Sequence, residues 1–101
     1  MKRLLTIEDT FMLKARGLVV LPAPPLDEVR GPGDFEVELR LPDGVRRVAT
    51  MTLMYEFFRP PPAVRRWTCV FQSLDKAQVP IRTEVWCSEQ LFLPHRSSDA
   101  G

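Results

Sequence analysis

The sequence has little of the chemistry that catalytic and metal sites use. It contains one histidine and two cysteines. The spacing of Cys69 and Cys87 fits no zinc-binding pattern, and we expect both as buried free thiols rather than as a disulfide. A cysteine nucleophile would need His95 as its base, and His95 lies close to the last residue, where we expect solvated chain. The phosphate-binding pattern G-x-x-x-x-G-K-[ST] is also missing. The sequence therefore predicts a protein that is not an enzyme and uses no cofactor, metal or nucleotide.

Long apolar runs are missing as well. Glu8 and Asp9 interrupt the first apolar stretch before a signal-peptide core could form, and no run approaches the roughly 18 residues of a membrane-spanning helix. Apolar residues make up 45% and charged residues 27% of the 101-residue chain, which is typical of a globular domain. The net charge of +1 gives no general attraction to nucleic acid or to anionic membranes. We expect one cytoplasmic domain over residues 1–94, without membrane contact, and a disordered tail over residues 95–101.

Glycine is scarce beside proline: the chain has five glycines and ten prolines. Proline disrupts helix interiors and central strands, so the prolines divide the chain into short segments and favour an all-β fold over a helical bundle. Residues 5–21 predict a β-hairpin whose reversal, over residues 14–17, uses a positive φ at Gly17. The proline-rich stretch over residues 22–34 that follows is either an ordered loop or a flexible connector.

Alternation of apolar and polar residues predicts four further strands, over residues 35–41, 45–58, 67–72 and 83–91. Asp43-Gly44 predicts a tight turn between the first two, and Ser73 is expected to cap a helical turn before the last. The expected core residues on these strands are Phe35, Val37, Leu39, Met51, Leu53, Phe71 and Val85. Six short strands predict a small antiparallel β-barrel, because closure removes exposed sheet edges.

Two stretches of the sequence carry a resemblance to a known family. They are residues 7–11 (IEDTF) with residues 15–20 (ARGLVV), and residues 74–80 (LDKAQVP). Together they resemble the second domain of elongation factor Tu and related translational GTPases, which begins with an I-E-D-x-F strand, a G-R-G turn and a T-V-V strand. The resemblance implies a six-stranded antiparallel β-barrel and no activity, because GTP chemistry belongs to a domain with the missing phosphate loop. The chain departs from the family at Ala15 and Arg82, where the family often has glycine, at Leu18, where it has threonine, and at Leu21-Pro22, where it has threonine-glycine.

Neither of the two carboxylate pairs in the sequence predicts a shared acidic site. Glu8 and Asp9 are adjacent on a predicted strand, where successive side chains point to opposite faces, so we expect them to lie apart. Asp27 and Glu28 lie in the proline-rich stretch and are expected to be solvated charge. Paired carboxylates as a general acid and base are therefore not expected.

Arginines are concentrated in the middle of the chain. Between residues 45 and 71 there is one carboxylate, Glu56, and five arginines: Arg46, Arg47, Arg59, Arg65 and Arg66. Arginine suits bidentate contacts with phosphate or carboxylate and stacking on aromatic rings. The sequence leaves open whether these arginines form a binding patch or an ordinary solvated surface.

Two functions are therefore considered. The first is a non-catalytic protein-interaction module that docks an unidentified protein partner through a stiff, proline-rich loop flanked by aromatic residues. Its candidate binding residues are Arg59, Pro60, Pro61, Pro62, Arg65, Arg66 and Trp67, with the prolines projecting from the barrel. The second is an RNA- or ribosome-associated module, supported by the family resemblance and by the arginines.

Overall fold

The computed structural model describes residues 1–55 and 64–94. These residues form two 3₁₀ helices, Lys76–Gln78 and Glu89–Leu91, and seven strands: β1 (Lys2–Thr6), β2 (Asp9–Leu13), β3 (Gly17–Leu21), β4 (Gly33–Arg40), β5 (Arg46–Met54), β6 (Thr68–Phe71) and β7 (Glu84–Cys87). All strands belong to one antiparallel sheet in the order β1-β7-β4-β5-β6-β3-β2, which curls into a half-barrel. The predicted all-β class is confirmed. No helix of the described residues is long and apolar enough to cross a membrane.

One continuous run of chain supplies both edge strands of the sheet. β1 pairs with β7, and β2 pairs with β3. The change of partner falls between Ile7 and Glu8. The Ile7 amide donates to the Thr83 carbonyl at 2.8 Å, whereas the Glu8 amide donates to the Leu21 carbonyl at 2.7 Å. The Ile7 side chain is fully buried at this bend. What the alternation predicted as one outer strand of a hairpin is therefore two strands on opposite edges.

The core follows the predicted alternation on β4 to β7. Six of the seven expected residues are buried: Val37, Leu39, Met51, Leu53, Phe71 and Val85. Phe35 is half-buried and packs on the margin of the core. Cys69 and Cys87 are buried and unpaired, as expected. The period-2 pattern therefore identified the inward face of each of these strands.

Both glycine turns have the predicted backbone conformation. Gly17 has a φ of +108° and Gly44 a φ of +94°. A Cβ on Gly17 would lie 2.8 Å from the Cα of Gln72, because the turn packs against the chain that leaves β6. A Cβ on Gly44 would meet no atom within 4 Å. Gly17 is therefore required both for its φ and for close packing, whereas Gly44 is required for its φ alone.

Two predictions about where short elements begin or end are wrong, and in both cases a polar side chain caps a 3₁₀ helix. The 3₁₀ helix Lys76–Gln78 is capped by Asp75 rather than by Ser73: the Asp75 carboxylate accepts from the Gln78 amide at 3.1 Å. The predicted strand over residues 83–91 ends at Cys87, because the Ser88 hydroxyl accepts from the Gln90 amide and starts the second 3₁₀ helix. Such side chain to backbone bonds compete with strand pairing.

The proline-rich stretch over residues 22–34 is an ordered loop and not a flexible connector. Its end, from Gly33, forms the start of β4. Val29 is fully buried and pairs with Phe92 in an isolated bridge. The Arg30 amide donates to the Leu91 carbonyl at 2.8 Å, and this bond fixes the loop to the last described segment.

Candidate binding site

A cleft of about 600 Å³ opens beside β2, β3 and the start of β6. We call it the Trp67 cleft; it is lined by Glu8, Asp9, residues 20–23, Val64 and residues 66–69. Most of these side chains are apolar. Among the described residues, the charged ones are two carboxylates, Glu8 and Asp9, and one guanidinium, Arg66. An apolar cleft with a few polar groups is the usual form of a binding site.

One wall of the cleft is held in place by the proline-rich loop. The Trp67 amide donates to the Pro24 carbonyl at 3.0 Å, and the Leu26 amide donates to the Arg65 carbonyl at 3.0 Å. The Arg66 guanidinium adds a bond of 2.6 Å to the Ala23 carbonyl. The segment that enters β6 is therefore fixed by backbone bonds and by a charged side chain.

Trp67 is the largest side chain of the cleft and is almost wholly buried, at 4% exposure. Its ring centroid lies 4.8 Å from that of Tyr55, with the two rings tilted by 45°. A Cβ on Gly31 would lie 2.9 Å from Cζ2 of the indole, so the ring rests directly on a glycine. Its indole nitrogen has no hydrogen-bond partner in the part of the chain that the structure describes. Burying such a donor is unfavourable, and the contacts with Tyr55 and Gly31 help to hold the ring in place.

Glu8 and Asp9 line the same cleft, so the expectation that they would point to opposite faces is wrong. Asp9 is the residue of β2 that lies opposite Leu21, and the Glu8 amide also bonds to the Leu21 carbonyl. Glu8 lies just before the first residue of β2, outside the regular strand. Strict alternation of side chains applies within a regular strand, so it does not separate Glu8 from Asp9, and both residues can reach one site.

The predicted site residues separate into three groups. Arg66 and Trp67 line the cleft, whereas Arg65 is exposed and is not part of the lining. Arg59, Pro60, Pro61 and Pro62, predicted as a projecting loop, lie outside the described residues. The sequence reasoning missed the contribution of residues 20–23 and of the Glu8-Asp9 pair. The alternation of the sequence carries no signal for the pair, because the change of strand partner between Ile7 and Glu8 depends on tertiary pairing.

Four of the five arginines between residues 45 and 71 lie among the described residues, and the structure does not bring these four into one patch. Arg46 and Arg47 begin β5, while Arg65 and Arg66 precede β6, whose first residue pairs with the last residue of β5. Arg46 lies 3.8 Å from a Glu38 carboxylate oxygen. β5 runs for nine residues, from Arg46 to Met54, and its eight steps span about 26 Å. The two pairs therefore lie at opposite ends of β5.

Cys69 also lines the cleft, but its thiol is poorly suited to nucleophilic chemistry. Burial raises the pKa of the Cys69 thiol from 9.0 to about 12. Burial likewise raises the pKa of Cys87 to about 11, against the opposing effect of the Lys2 charge. Both thiols are therefore protonated at neutral pH, and the thiolate is the nucleophilic form. No group of three or more potential metal ligands occurs within residues 1–55 and 64–94.

Comparison of the chain with protein-family models, with curated proteins and with solved structures found no match in any of the three.

Proposed function

We propose that this protein is a non-catalytic, cytoplasmic interaction module that binds a segment of a protein partner in the Trp67 cleft. The observation that carries the proposal is the cleft itself: about 600 Å³ of mainly apolar lining on a surface fixed by strands and by an ordered loop. Burying one large apolar side chain of a partner there would contribute about 1.5–3 kcal/mol.

The rigidity of the site supports binding to a flexible partner segment. Three of the elements that form the cleft, β2, β3 and β6, pair with one another in the order β6-β3-β2. The fourth, residues 64–67, is bonded to the proline-rich loop through Pro24 and Ala23. A site that is already ordered loses little conformational entropy on binding, so the cost of association falls mainly on the partner.

We further propose that the fold is that of the second domain of elongation factor Tu. The all-β sheet, the positive φ at Gly17 and the bend after Ile7 are consistent with it. Arg82 adds a specific argument, because it has a φ of +77° at the position where the family often has glycine. This backbone conformation is the one that glycine adopts without cost. The proposal concerns the fold and carries no GTP chemistry.

The alternative, an RNA- or ribosome-associated module, receives less support from the arrangement of charges. Phosphate binding favours a continuous basic surface, whereas the arginine pairs lie at opposite ends of β5 and the cleft contains two carboxylates. Binding of a random-sequence RNA that weakens steeply with salt, and that Arg65→Ala reduces, would favour the alternative.

The experiment is a selection of random 12-residue peptides displayed on phage against the folded protein. Val64, which is 56% exposed, lines the cleft, and Val64→Glu places a charge there. Val45→Glu is the matched control, because Val45 is 48% exposed and lies in the turn between β4 and β5. We expect peptides that bind the wild type and Val45→Glu but not Val64→Glu. If every selected peptide binds all three proteins equally, the proposed site is wrong.

A further inference from the structure

We infer that the segment bound in the Trp67 cleft is basic, with a lysine or arginine directly beside an apolar side chain. This inference rests on the proposed function and names the chemistry of the partner. It follows from the charges of the cleft, which differ in sign from the charge of the whole protein. The protein has a net charge of +1, whereas the described residues that line the cleft have two carboxylates against one guanidinium.

The two carboxylates are available to a partner's cation. No lysine or arginine within residues 1–55 and 64–94 forms an ion pair with Glu8 or Asp9. One oxygen of Asp9 accepts from the Thr10 amide at 2.9 Å, and a carboxylate has further acceptor sites. Both residues are exposed, so an incoming ammonium or guanidinium group could reach them while its apolar neighbour enters the cleft.

Arg66, the one cation among the described lining residues, is already engaged. The Arg66 guanidinium donates to the Ala23 carbonyl at 2.6 Å, and this bond holds the residue against the wall formed by the proline-rich loop. An acidic partner would have to share this guanidinium and would also lie near Glu8 and Asp9. Like charges across an interface oppose binding, so the arrangement selects against acidic segments.

The backbone contacts of Glu8 and Asp9 explain why a basic residue and an apolar residue should be neighbours. Asp9 pairs with Leu21 and the Glu8 amide bonds to the Leu21 carbonyl, so both residues lie beside Leu21, which is 37% exposed and also lines the cleft. The carboxylates and the apolar lining therefore adjoin at one residue of β3. A segment that satisfies both surfaces needs a cation and an apolar side chain at adjacent or nearly adjacent positions.

The test uses the peptides selected on the wild-type protein that fail to bind Val64→Glu, which we call cleft-dependent peptides. We expect lysine and arginine to be enriched over aspartate and glutamate beside the apolar positions of these peptides. The best peptide, labelled with fluorescein, is then titrated by fluorescence anisotropy with the wild type and with Glu8→Gln/Asp9→Asn. The matched control is Glu36→Gln/Asp43→Asn, which also removes two exposed carboxylates but leaves the cleft unchanged.

The expected result is binding to Glu8→Gln/Asp9→Asn that is about tenfold weaker and less dependent on salt. The control variant should bind like the wild type. Cleft-dependent peptides that show no basic enrichment, or that bind both double variants equally, would overturn the inference while leaving the proposed function intact. Failure to obtain any cleft-dependent peptide would overturn the proposed function itself. Circular dichroism establishes that each variant is folded before titration.

Discussion

The guanidinium of Arg66 donates a hydrogen bond of 2.6 Å to the carbonyl oxygen of Ala23, which joins the entry of β6 to the proline-rich loop. The two residues lie on facing segments that are also joined by the bridge between Pro25 and Arg66. Both arginines are exposed, but the bond that Arg65 makes to this loop uses its backbone carbonyl rather than its side chain. The two arginines, equivalent in the sequence, therefore have different roles.

Arg66→Ala should destabilise the protein by about 1 kcal/mol, because it removes a charged donor from a partly buried carbonyl. Arg65→Ala should change the free energy of unfolding by less than about 0.5 kcal/mol, because its backbone bond remains. Urea denaturation of both variants checks this difference. Equal stability of the two variants would show that the side-chain bond to Ala23 contributes nothing.

Gly17→Ala should be more destabilising than Gly44→Ala. Both glycines have a positive φ, so both variants incur backbone strain of about 1 kcal/mol. Gly17→Ala also brings a Cβ to 2.8 Å from the backbone of Gln72, which must move. We expect a total loss of about 2–4 kcal/mol at Gly17. The measurement is the shift of the urea midpoint at constant m-value, and equal shifts would contradict the packing at this turn.

Arg82→Gly should leave the stability within about 1 kcal/mol of the wild type. Glycine relieves the strain of the positive φ at Arg82 but increases the entropy of the unfolded chain. Arg82→Val should be clearly destabilising, because a β-branched residue is strained in this conformation. Thermal unfolding of the two variants checks the order. A strongly destabilised Arg82→Gly would mean that the arginine side chain, rather than the backbone, is what this position requires.

The buried Cys69 thiol predicts a loss of stability in alkali. Its pKa is raised from 9.0 to about 12 in the folded protein, so above pH 9 the unfolded chain loses a proton that the folded protein keeps. The stability contribution is complete below pH 9 and is lost as the pH rises towards 12. Between pH 8 and pH 10 the wild type should lose about 1.4 kcal/mol more than Cys69→Ala. Urea denaturation at both pH values gives the difference, and parallel losses would contradict the burial of this thiol.

The sequence was sufficient to predict the parts of the fold that depend on regular alternation. Val37, Leu39, Met51 and Leu53 face the core because two adjacent strands keep an unbroken period of two. Turns that need a positive φ were also predictable, since glycine at position 17 has a direct physical reason. These features are local, and local patterns determine them.

The site was less predictable, because it depends on where strands change partners. Glu8 and Asp9 share a cleft because the chain changes its pairing partner at this point: the Ile7 amide bonds to Thr83, and the Glu8 amide bonds to Leu21 of β3. Nothing in a period-2 pattern marks such a switch. The proline-rich loop was left undecided for a similar reason: the backbone bonds that order it come from residues near Trp67 and Leu91, which are distant in the sequence.

The most direct test of the central claim is the affinity of one cleft-dependent peptide for three proteins: wild type, Val64→Glu and Val45→Glu. Isothermal titration calorimetry measures the dissociation constant of each, after circular dichroism has shown that each is folded. A charge at Val64 should weaken binding at least about tenfold, because it must be desolvated against an apolar partner. The same charge at Val45 should leave the dissociation constant unchanged. Equal dissociation constants for Val64→Glu and Val45→Glu would contradict the assignment of the Trp67 cleft as the binding site.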